Sequence, residues 1–216
     1  MIGVSQREAA GIANAMIDAI AENKQKLSDI DGLIGDGDHG VNMNKGFRLF
    51  KERIEGRDIT LSEAFLTLGD VLLMEIGGSM GPLYGMFFSA MGAAAQESAG
   101  IDAELFLKML SSGVQAVREL GGAKPGDKTL MDVLFPALDA YQSALKEGRS
   151  FGDCLEAMKA AADEGCRSTL DMVAKIGRAS RLGERSRGVP DAGAASCSLL
   201  LSVIADGFLR ILKKGA

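Results

Sequence analysis

The chain has 216 residues, of which 47% are hydrophobic and 25% are charged, and its formal net charge is −5. These values are typical of an ordinary globular protein and exclude a disordered chain. No linker divides the sequence, so we expect a single domain over residues 1–216. The negative charge argues against nucleic acid as a partner, because binding to a phosphate backbone needs a basic face.

The cysteines and the start of the chain bear on its cellular setting. Cys154, Cys166 and Cys197 are far apart, no CxxC pair occurs, and a zinc site needs three or four close ligands. We interpret them as small buried residues, with a reactive thiol as the alternative. The N-terminal sequence MIGVSQREAAG does not resemble a signal peptide, and no apolar run approaches the roughly 18 residues of a membrane span. The sequence therefore predicts a cytoplasmic protein without a membrane partner.

Apolar residues recur at helical spacing along most of the chain. Ser5 with Glu8 predicts a capping box at the start of the first helix, and Thr60 with Glu63 predicts another before AFLTLGDVLLMEI. Asp102 begins a helix that ends at the glycines 121 and 122. Further helices are predicted over roughly 41–55, 83–97, 128–147, 151–176 and 192–214. No window alternates with period two, so the predicted fold is all-α, with about eight helices and short loops.

Four glycine-rich segments interrupt the helical pattern. They are GDGDHG (35–40), GGSMGP (77–82), GGAKPGD (121–127) and GRASRLGERSRGVPDAG (177–193). Each lies at a junction between predicted helices, and in an up-and-down bundle alternate loops share one end. Several of these segments can therefore meet there. Because one contains carboxylates and another contains arginines, they indicate a functional site more strongly than simple turns would.

The first segment contains a cluster of carboxylates. Asp31, Asp36 and Asp38 are spaced as D-x4-D-x-D, and the glycines between them let the backbone turn the side chains toward one point. Such oxygen ligands suit Mg²⁺ or Ca²⁺. An EF-hand is excluded, because Val41 and Phe47 stand where its glycine and its bidentate glutamate are required. The pattern favours an open site that shares Mg²⁺ with the phosphates of a nucleotide.

His39 is the only histidine of the chain and lies within this cluster. No second histidine is available for a zinc site, and no GxSxG sequence supports a serine–histidine–aspartate triad. It precedes the first turn of a predicted helix, where anions bind. We interpret it as a donor to a phosphate, with a purely structural hydrogen bond as the alternative.

The third glycine segment, GGAKPGDKT, is close to a P-loop. Asp127 stands where the lysine of that motif belongs, Lys128 comes one position late, and a helix precedes the segment where a P-loop follows a strand. We therefore exclude a Walker motif. The glycines of this segment can instead approach a nucleotide through their backbone.

The last glycine segment is rich in arginine. Arg178, Arg181, Arg185 and Arg187 lie within ten residues of an otherwise acidic chain. One interpretation is a solvated loop. The other is a loop whose guanidinium groups bind phosphates and stabilise charge during transfer.

Four motifs together resemble a known family. DGLIGDGDHGVN, GGSMGPLYGMFF, GGAKPGDKTLMDVLFPA and GRASRLGERSRGVPDAGAAS, in this order and spacing, resemble the nucleotide-binding L subunit (DhaL type) of dihydroxyacetone kinase. The resemblance spans nearly the whole chain. It implies a closed bundle of about eight antiparallel helices, with the nucleotide at one end.

The resemblance also implies roles for individual residues. Asp31, Asp36 and Asp38 would hold two Mg²⁺ ions against the nucleotide phosphates, and Arg178 and His39 would be catalytic. The implied nucleotide-binding residues are His39, Gly40, Val41, Asn42, Ser79, Met80, Gly121, Leu130, Arg178, Asp191, Ala192 and Gly193.

Three positions depart from the usual family pattern. Met80 stands where GGASGP has a serine, Ala192 stands where DPG has a proline, and Arg181 stands where a tyrosine is frequent. None of the three belongs to the carboxylate cluster. They bear on the phosphate contacts and on the identity of the sugar.

The single histidine also bears on the partners. In this family the substrate-binding subunit holds the ketone covalently on its own histidine, whereas the only histidine here belongs to the carboxylate loop. The resemblance therefore implies dihydroxyacetone or a related short ketose on a K-type partner, and a homodimer is also compatible with it. The donor is either exchanging ATP or tightly bound ADP that a phosphotransferase-system protein (M-type) rephosphorylates. The alternatives are a nucleotide-sensing regulatory module that docks on a transcription factor or enzyme, and a structural protein stabilised by divalent cations.

Overall fold

The chain folds almost entirely into helices. The computed structural model describes residues 3–215. In that range the short helix α1 (Gln6–Ala9) is followed by eight long ones: α2 (Gly11–Ile34), α3 (His39–Ile54), α4 (Leu61–Glu75), α5 (Met80–Ala95), α6 (Ala103–Gly121), α7 (Met131–Lys146), α8 (Phe151–Ser168) and α9 (Ala192–Lys214). The prediction of an all-α fold with about eight helices is confirmed.

The long helices form a closed ring. Each packs against the next in chain order, from α2 to α9, and α9 packs against α2. Consecutive helices run in opposite directions, and their connections are short except for residues 169–191 between α8 and α9. This arrangement confirms the closed antiparallel bundle that the resemblance implied.

Several helix ends were predictable from local sequence. The backbone N–H of Glu63 donates to Thr60 Oγ1 at 3.2 Å, and Thr60 N donates to Glu63 Oε2 at 2.7 Å, which completes the predicted capping box. Asp102 accepts from Leu105 N at 2.9 Å at the start of α6. Helix α6 ends at Gly122, which adopts a left-handed conformation with φ of 63°.

Two features differ from the expectations. The predicted helix 151–176 ends at Ser168 and continues as a 3-10 helix only over Thr169–Asp171. The hydroxyl of Thr169 donates to the carbonyl of Cys166 at 2.7 Å, and such side-chain bonds compete with helix propagation. The strands β1 (Val4–Ser5) and β2 (Gly100–Ile101) pair antiparallel, and two residues each are too few to show alternation in the sequence.

Close approach of helices α4 and α5 depends on glycine. A Cβ on Gly69 would lie 2.1 Å from Ser89 Oγ and 2.9 Å from the carbonyl oxygen of Gly85. On the other side of the bundle, Phe106, Tyr141, Phe151 and Phe208 form one aromatic group across α6 to α9, with neighbouring ring centroids 5.2–5.8 Å apart. This aromatic group packs the end of the bundle opposite the glycine-rich segments.

The cysteines are free thiols. Cys154 and Cys197 are buried and Cys166 is half-buried. Burial raises the pKa of all three thiols. Raised pKa values keep the thiols protonated, so the interpretation as small buried residues is favoured over a reactive thiol.

Within the described residues one helix, α9, is long and apolar enough to cross a membrane by length and composition, with a mean hydropathy of 1.7. The expectation that no apolar run approaches this length is therefore wrong for α9. In the fold, however, 56% of this apolar stretch is buried, and α9 packs against α2 and α8. Leu200, Ile204 and Phe208 lie in the core. We therefore assign α9 as a core helix of the bundle.

Candidate nucleotide and metal site

The glycine-rich segments meet at one end of the bundle. They surround a cavity of about 530 Å³, and each of the four contributes to its wall: the lining includes residues 35–36, 38–39, 77–80, 82, 121, 177–179 and 191–193. Cavities of roughly 300–1,000 Å³ are usual for small-molecule sites. The expected convergence of the loops is thus observed.

Helix starts face this cavity. The residues at the N-termini of α3, α5, α7 and α9 line it, whereas α4, α6 and α8 begin at the opposite end of the bundle. In the described chain, α3, α5 and α7 begin without a side-chain cap, although α4, α6 and α8 each have one. Free backbone N–H groups and the positive ends of helix dipoles favour anions such as phosphate.

Most of the predicted site residues line the cavity. They are Asp31, Asp36, Asp38, His39, Asn42, Ser79, Met80, Gly121, Leu130, Arg178, Asp191, Ala192 and Gly193. Gly40 and Val41 do not line it. Gly40 packs against α2, where an added Cβ would lie 2.0 Å from the carbonyl oxygen of Lys24, and Val41 is 49% exposed. Gly40 therefore has a packing reason to be glycine.

The three aspartates form a compact carboxylate cluster. One oxygen from each of Asp31, Asp36 and Asp38 lies within 4.8 Å of the others. Asp31 is the last-turn residue of α2, and a Cβ on Gly35 would lie 2.3 Å from its Oδ1. The backbone N–H of His39 donates to Asp31 Oδ2 at 3.2 Å. The donor set consists of hard oxygens with open coordination positions, so it fits Mg²⁺.

Only part of the arginine segment reaches the cluster. Arg178 lines the cavity and forms an ion pair with Asp36. Arg181 and Arg185 line a shallower depression beside it, together with Leu33. Arg187 points away and pairs with Glu184. Arg178 is therefore the arginine that is placed to act at the carboxylates.

His39 is held by a chain of hydrogen bonds between three helices. Its Nε2 lies 2.8 Å from Ser196 Oγ on α9, and this oxygen lies 2.7 Å from the hydroxyl of Tyr84 on α5. Tyr84 donates to the carbonyl of Gly193 at 3.1 Å. Burial lowers the pKa of His39, against the opposing effect of Asp31, and burial raises the pKa of Tyr84.

Asp191 caps helix α9 beside the cavity. Its Oδ2 accepts from Ala194 N at 2.8 Å, and its own N–H donates to Thr169 Oγ1 at 3.0 Å. Burial raises the pKa of this carboxyl to about 6, although the cap bond and Lys128 lower it. A carboxylate at this place adds negative charge to a cavity whose backbone otherwise favours anions.

Lys128 is a buried lysine beside Asp191. It is 2% exposed, and its Nζ donates to the carbonyls of Thr169 and Val189 at 2.5 Å each. Its φ is +64°, which makes it the one non-glycine residue with positive φ between residues 3 and 215. Burial lowers the pKa of its ammonium. The loop around it is ordered by Asp132, which accepts from Gly126 N and Thr129 N at 2.5 and 2.8 Å.

Similarity to known proteins agrees with this geometry. Residues 33–206 match the DAK2 domain. The chain belongs to the DAK2 domain family. The match covers Asp36, Asp38 and every helix start that faces the cavity, and it begins two residues after Asp31.

Relatives of this DAK2 domain are similar over most of their length. The "PEP-dependent dihydroxyacetone kinase, ADP-binding subunit DhaL" of Escherichia coli (strain K12) is 35% identical over 189 residues, which cover 87% of this chain and 90% of the relative. The "PEP-dependent dihydroxyacetone kinase 1, ADP-binding subunit DhaL" of Listeria innocua is 40% identical over 183 residues, covering 84% and 86%. The DhaL-type resemblance and the assignment as a phosphotransferase subunit are thereby confirmed.

A solved structure supports the fold of the DAK2 domain. The crystal structure of the dihydroxyacetone kinase of C. freundii in its native form superposes with a TM-score of 0.70 at 25% identity. The superposition covers 92% of this chain but 34% of that one. The present chain therefore corresponds to about a third of the longer kinase.

Met80 is the departure with the clearest structural setting in this DAK2 domain. It is the first residue of α5, is 8% exposed and lines the cavity. Ser79 precedes it, and its hydroxyl caps no backbone group of the described helix α5. Arg181 lies in the neighbouring depression, and Ala192 begins α9 at the cavity wall.

Sequence reasoning missed four residues that shape the site of this DAK2 domain. They are Tyr84, Lys128, Asp132 and Ser196. In the sequence, Lys128 is distinguished only as a lysine that comes one position late for a P-loop. Ser196 carried a weak signal, because it lies one helical turn after Gly193 and thus on the same face of α9.

Proposed function

We propose that the chain binds Mg–nucleotide at the bundle end and transfers a phosphoryl group to dihydroxyacetone or a related short ketose, which a separate subunit holds. The observation that carries this proposal is the meeting of three carboxylates with four helix starts at one cavity. Carboxylates bind the metal, and free N–H groups bind phosphate. The two requirements of a nucleotide site are thus met side by side.

We propose different roles for the carboxylates, the helix starts and the cavity wall. Asp31, Asp36 and Asp38 would hold Mg²⁺, and we propose two ions, which would neutralise phosphate charge. The first turns of α3, α5 and α9 would donate N–H groups to phosphate oxygens. Gly121 and Leu130 lie on the cavity wall and would contact the base.

Arg178 would supply positive charge during transfer. Its side chain is 61% exposed, and its guanidinium already reaches Asp36 at the edge of the cavity. An exposed, flexible arginine can move from a carboxylate to a nearby phosphate oxygen without rearrangement of the helices. The ring nitrogen Nε2 of His39 is engaged by Ser196, so we propose that His39 holds the first turn of α3 beside the phosphates through this structural hydrogen bond.

Our proposal for the partners and the phosphoryl donor rests on the family resemblance. We propose a K-type subunit as the holder of the ketose and tightly bound ADP as the resting nucleotide, with an M-type phosphotransferase-system protein as the phosphoryl donor. The two relatives described above are named ADP-binding subunits of PEP-dependent kinases, which favours ADP over exchanging ATP. We propose the cytoplasm as the compartment and one DAK2 domain as the whole of residues 1–216.

The test compares two aspartate variants by calorimetry. Asp36→Asn removes one carboxylate of the cluster while keeping the size of the side chain, and Asp18→Asn changes an exposed aspartate of α2 that does not belong to the cluster. We expect Asp36→Asn to abolish the Mg²⁺-dependent part of nucleotide binding and Asp18→Asn to leave it intact. Equal Mg²⁺-dependent binding by both variants would contradict the metal assignment.

A regulatory module is the second candidate, because every feature identified in the cavity binds and none requires turnover. The two functions differ in the fate of the phosphoryl group. Protein with bound nucleotide is mixed with the substrate-holding subunit and ketose, and phosphorylated ketose is measured. Its absence, with nucleotide binding intact, would favour the regulatory module.

A further inference from the structure

The segment that carries the arginines is closed at its base by hydrogen bonds. We call residues 172–187 the arginine loop. The backbone N–H of Gly188 donates to the carbonyl of Leu170 at 2.8 Å, and Asp191 N donates to Thr169 Oγ1 at 3.0 Å. The segment that precedes the loop (169–170) is thus hydrogen-bonded directly to the segment that follows it (188–191).

Lys128, in the connection between α6 and α7, bridges the same two segments. Its Nζ donates to Thr169, which precedes the arginine loop, and to Val189, which follows it. The residue before it acts on the loop as well, because the carbonyl of Asp127 accepts from Lys175 N at 3.2 Å. The start of α7 is therefore connected to both sides of the loop base.

The setting of Lys128 is unfavourable in two ways. Its backbone has a left-handed conformation, which a side chain other than glycine rarely adopts, and its ammonium is removed from water. Such a residue persists where the surrounding structure determines it, and it is found most often at functional sites. Its hydrogen bonds go to protein carbonyls, so its effect on a ligand passes through the loop.

We propose that Lys128 is a positioning residue that fastens the base of the arginine loop and thereby sets Arg178 and the first turn of α9 against the cavity. The fastening is a property of the chain itself. Its consequence for nucleotide binding rests on the proposed function. The two parts are tested separately below.

The fastening is tested with trypsin on protein without nucleotide. The arginine loop contains four arginines and Lys175, so trypsin reports directly on its opening. Lys128→Met keeps the apolar stem and removes the donors. Lys124→Met is the matched control, because Lys124 is an exposed lysine of the same connection. We expect cleavage within the loop to be about tenfold faster in Lys128→Met and unchanged in the control. Equal rates in the two variants would overturn the proposal.

The effect on the site is tested by a double-mutant cycle in nucleotide affinity. Arg178→Ala, Lys128→Met and their combination are compared with the unchanged protein by calorimetry with Mg²⁺ and ADP. If Lys128 acts by placing Arg178, each single substitution weakens binding. The fold-loss of affinity in the double variant is then smaller than the product of the two single fold-losses. A fold-loss in the double variant equal to that product would contradict the proposal. Absence of binding by the unchanged protein would instead contradict the proposed function.

A second variant covers the case in which Lys128→Met does not fold. Thr169→Val preserves the shape of a buried side chain and removes the hydroxyl that accepts from Asp191 at the loop base. We expect faster tryptic cleavage of the arginine loop in this variant also. Cleavage at the rate of the unchanged protein, with the fold intact by circular dichroism, would show that the base is not what holds the loop.

Discussion

His39 Nε2 lies 2.8 Å from Ser196 Oγ, although 157 residues separate them in the chain. Ser196 is buried in α9, and the same oxygen is 2.7 Å from the hydroxyl of Tyr84 in α5. The bond therefore joins the first turn of α3 to two other helices that begin at the cavity. Because all three starts present backbone N–H groups, this chain of bonds fixes their relative positions.

The tautomer of His39 follows from the protons available. Tyr84 and Ser196 have one hydroxyl proton each, and the carbonyl of Gly193 can only accept. The hydroxyl of Ser196 can donate to Tyr84, which then donates to Gly193, or it can donate to the carbonyl of Gly193 itself at 3.1 Å while Tyr84 donates to Ser196; in both arrangements the contact with the ring needs a proton from Nε2. Every link from the ring to the carbonyl then has its own proton. We therefore expect Nε2–H, which leaves Nδ1 as the nitrogen with a free lone pair.

Nuclear magnetic resonance can measure this tautomer without ambiguity, because the chain has one histidine. With ¹⁵N-labelled histidine, we expect chemical shifts of an Nε2–H ring in the unchanged protein. Ser196→Ala removes the partner of the ring, and we expect a mixture of tautomers in that variant. A single unchanged tautomer in Ser196→Ala would show that Ser196 does not orient the ring.

Two tyrosine variants separate this effect from general loss of stability. Tyr84→Phe and Tyr141→Phe each remove a buried hydroxyl, and that of Tyr141 donates to the carbonyl of Ala103 at 3.0 Å at the far end of the bundle. We expect both changes to lower the free energy of unfolding by about 1–2 kcal/mol. Only Tyr84→Phe should alter the histidine shifts. An equal spectral change in Tyr141→Phe would contradict the assignment.

The parts of this site that could be predicted from sequence are local. Asp36, Asp38 and His39 lie within a few residues of one another, so their types and spacing already define a carboxylate loop before a helix. The helix starts at Thr60 and Asp102 were equally predictable from sequence, because each capping side chain and the backbone N–H that donates to it lie three residues apart.

The parts that could not be predicted depend on long-range contacts. The connection after α8 is one example, because the carbonyl of Thr169 accepts from Lys128, which lies 41 residues away in the chain. The role of Ser196 likewise appears only when α9 closes the ring against α2 and α3 brings His39 to it. Periodicity reports which face of a helix is buried, and it does not report which polar side chains meet.

The raised pKa of Asp191 predicts a pH dependence of stability. In the folded protein the pKa of Asp191 is about 6, above the usual value of 3.8. Between these two pH values the folded state therefore binds more protons than the unfolded state. Stability from this group is therefore full below about pH 4 and is lost as the pH rises through about 6. Lys128, Asp132 and Asp31 are the charged groups that act on it.

Asp191→Asn tests this dependence, because asparagine caps a helix as well as aspartate does and stays neutral. Thermal unfolding is measured from pH 4 to pH 7 without metal or nucleotide. We expect the variant to match the unchanged protein near pH 4 and to be more stable at pH 7, by on the order of 2 kcal/mol. A stability difference that does not change with pH would contradict the raised pKa.

The packing of α4 on α5 predicts opposite effects at two glycines. Gly69→Ala would place a Cβ 2.9 Å from the backbone oxygen of Gly85, so the helices must separate, and we expect a loss of about 1–3 kcal/mol. Gly11→Ala is the control, since its Cβ would meet nothing within 4 Å in α2, and we expect a gain of about 0.4–1 kcal/mol. Chemical denaturation measures both. Similar stability of the two variants would show that the close approach is not required.

Met80 provides the test of sugar specificity. It lines the cavity at the start of α5, where it adds apolar bulk and lacks the hydroxyl of the serine that the resemblance implies at this position. If the ketose approaches past this side chain, Met80→Ser should change the ratio of kcat/KM for three- and four-carbon ketoses, measured with the substrate-holding subunit. A shift of about tenfold corresponds to about 1.4 kcal/mol in the transition state. Unchanged ratios would mean that Ser79, one position earlier, supplies the hydroxyl and that Met80 only packs.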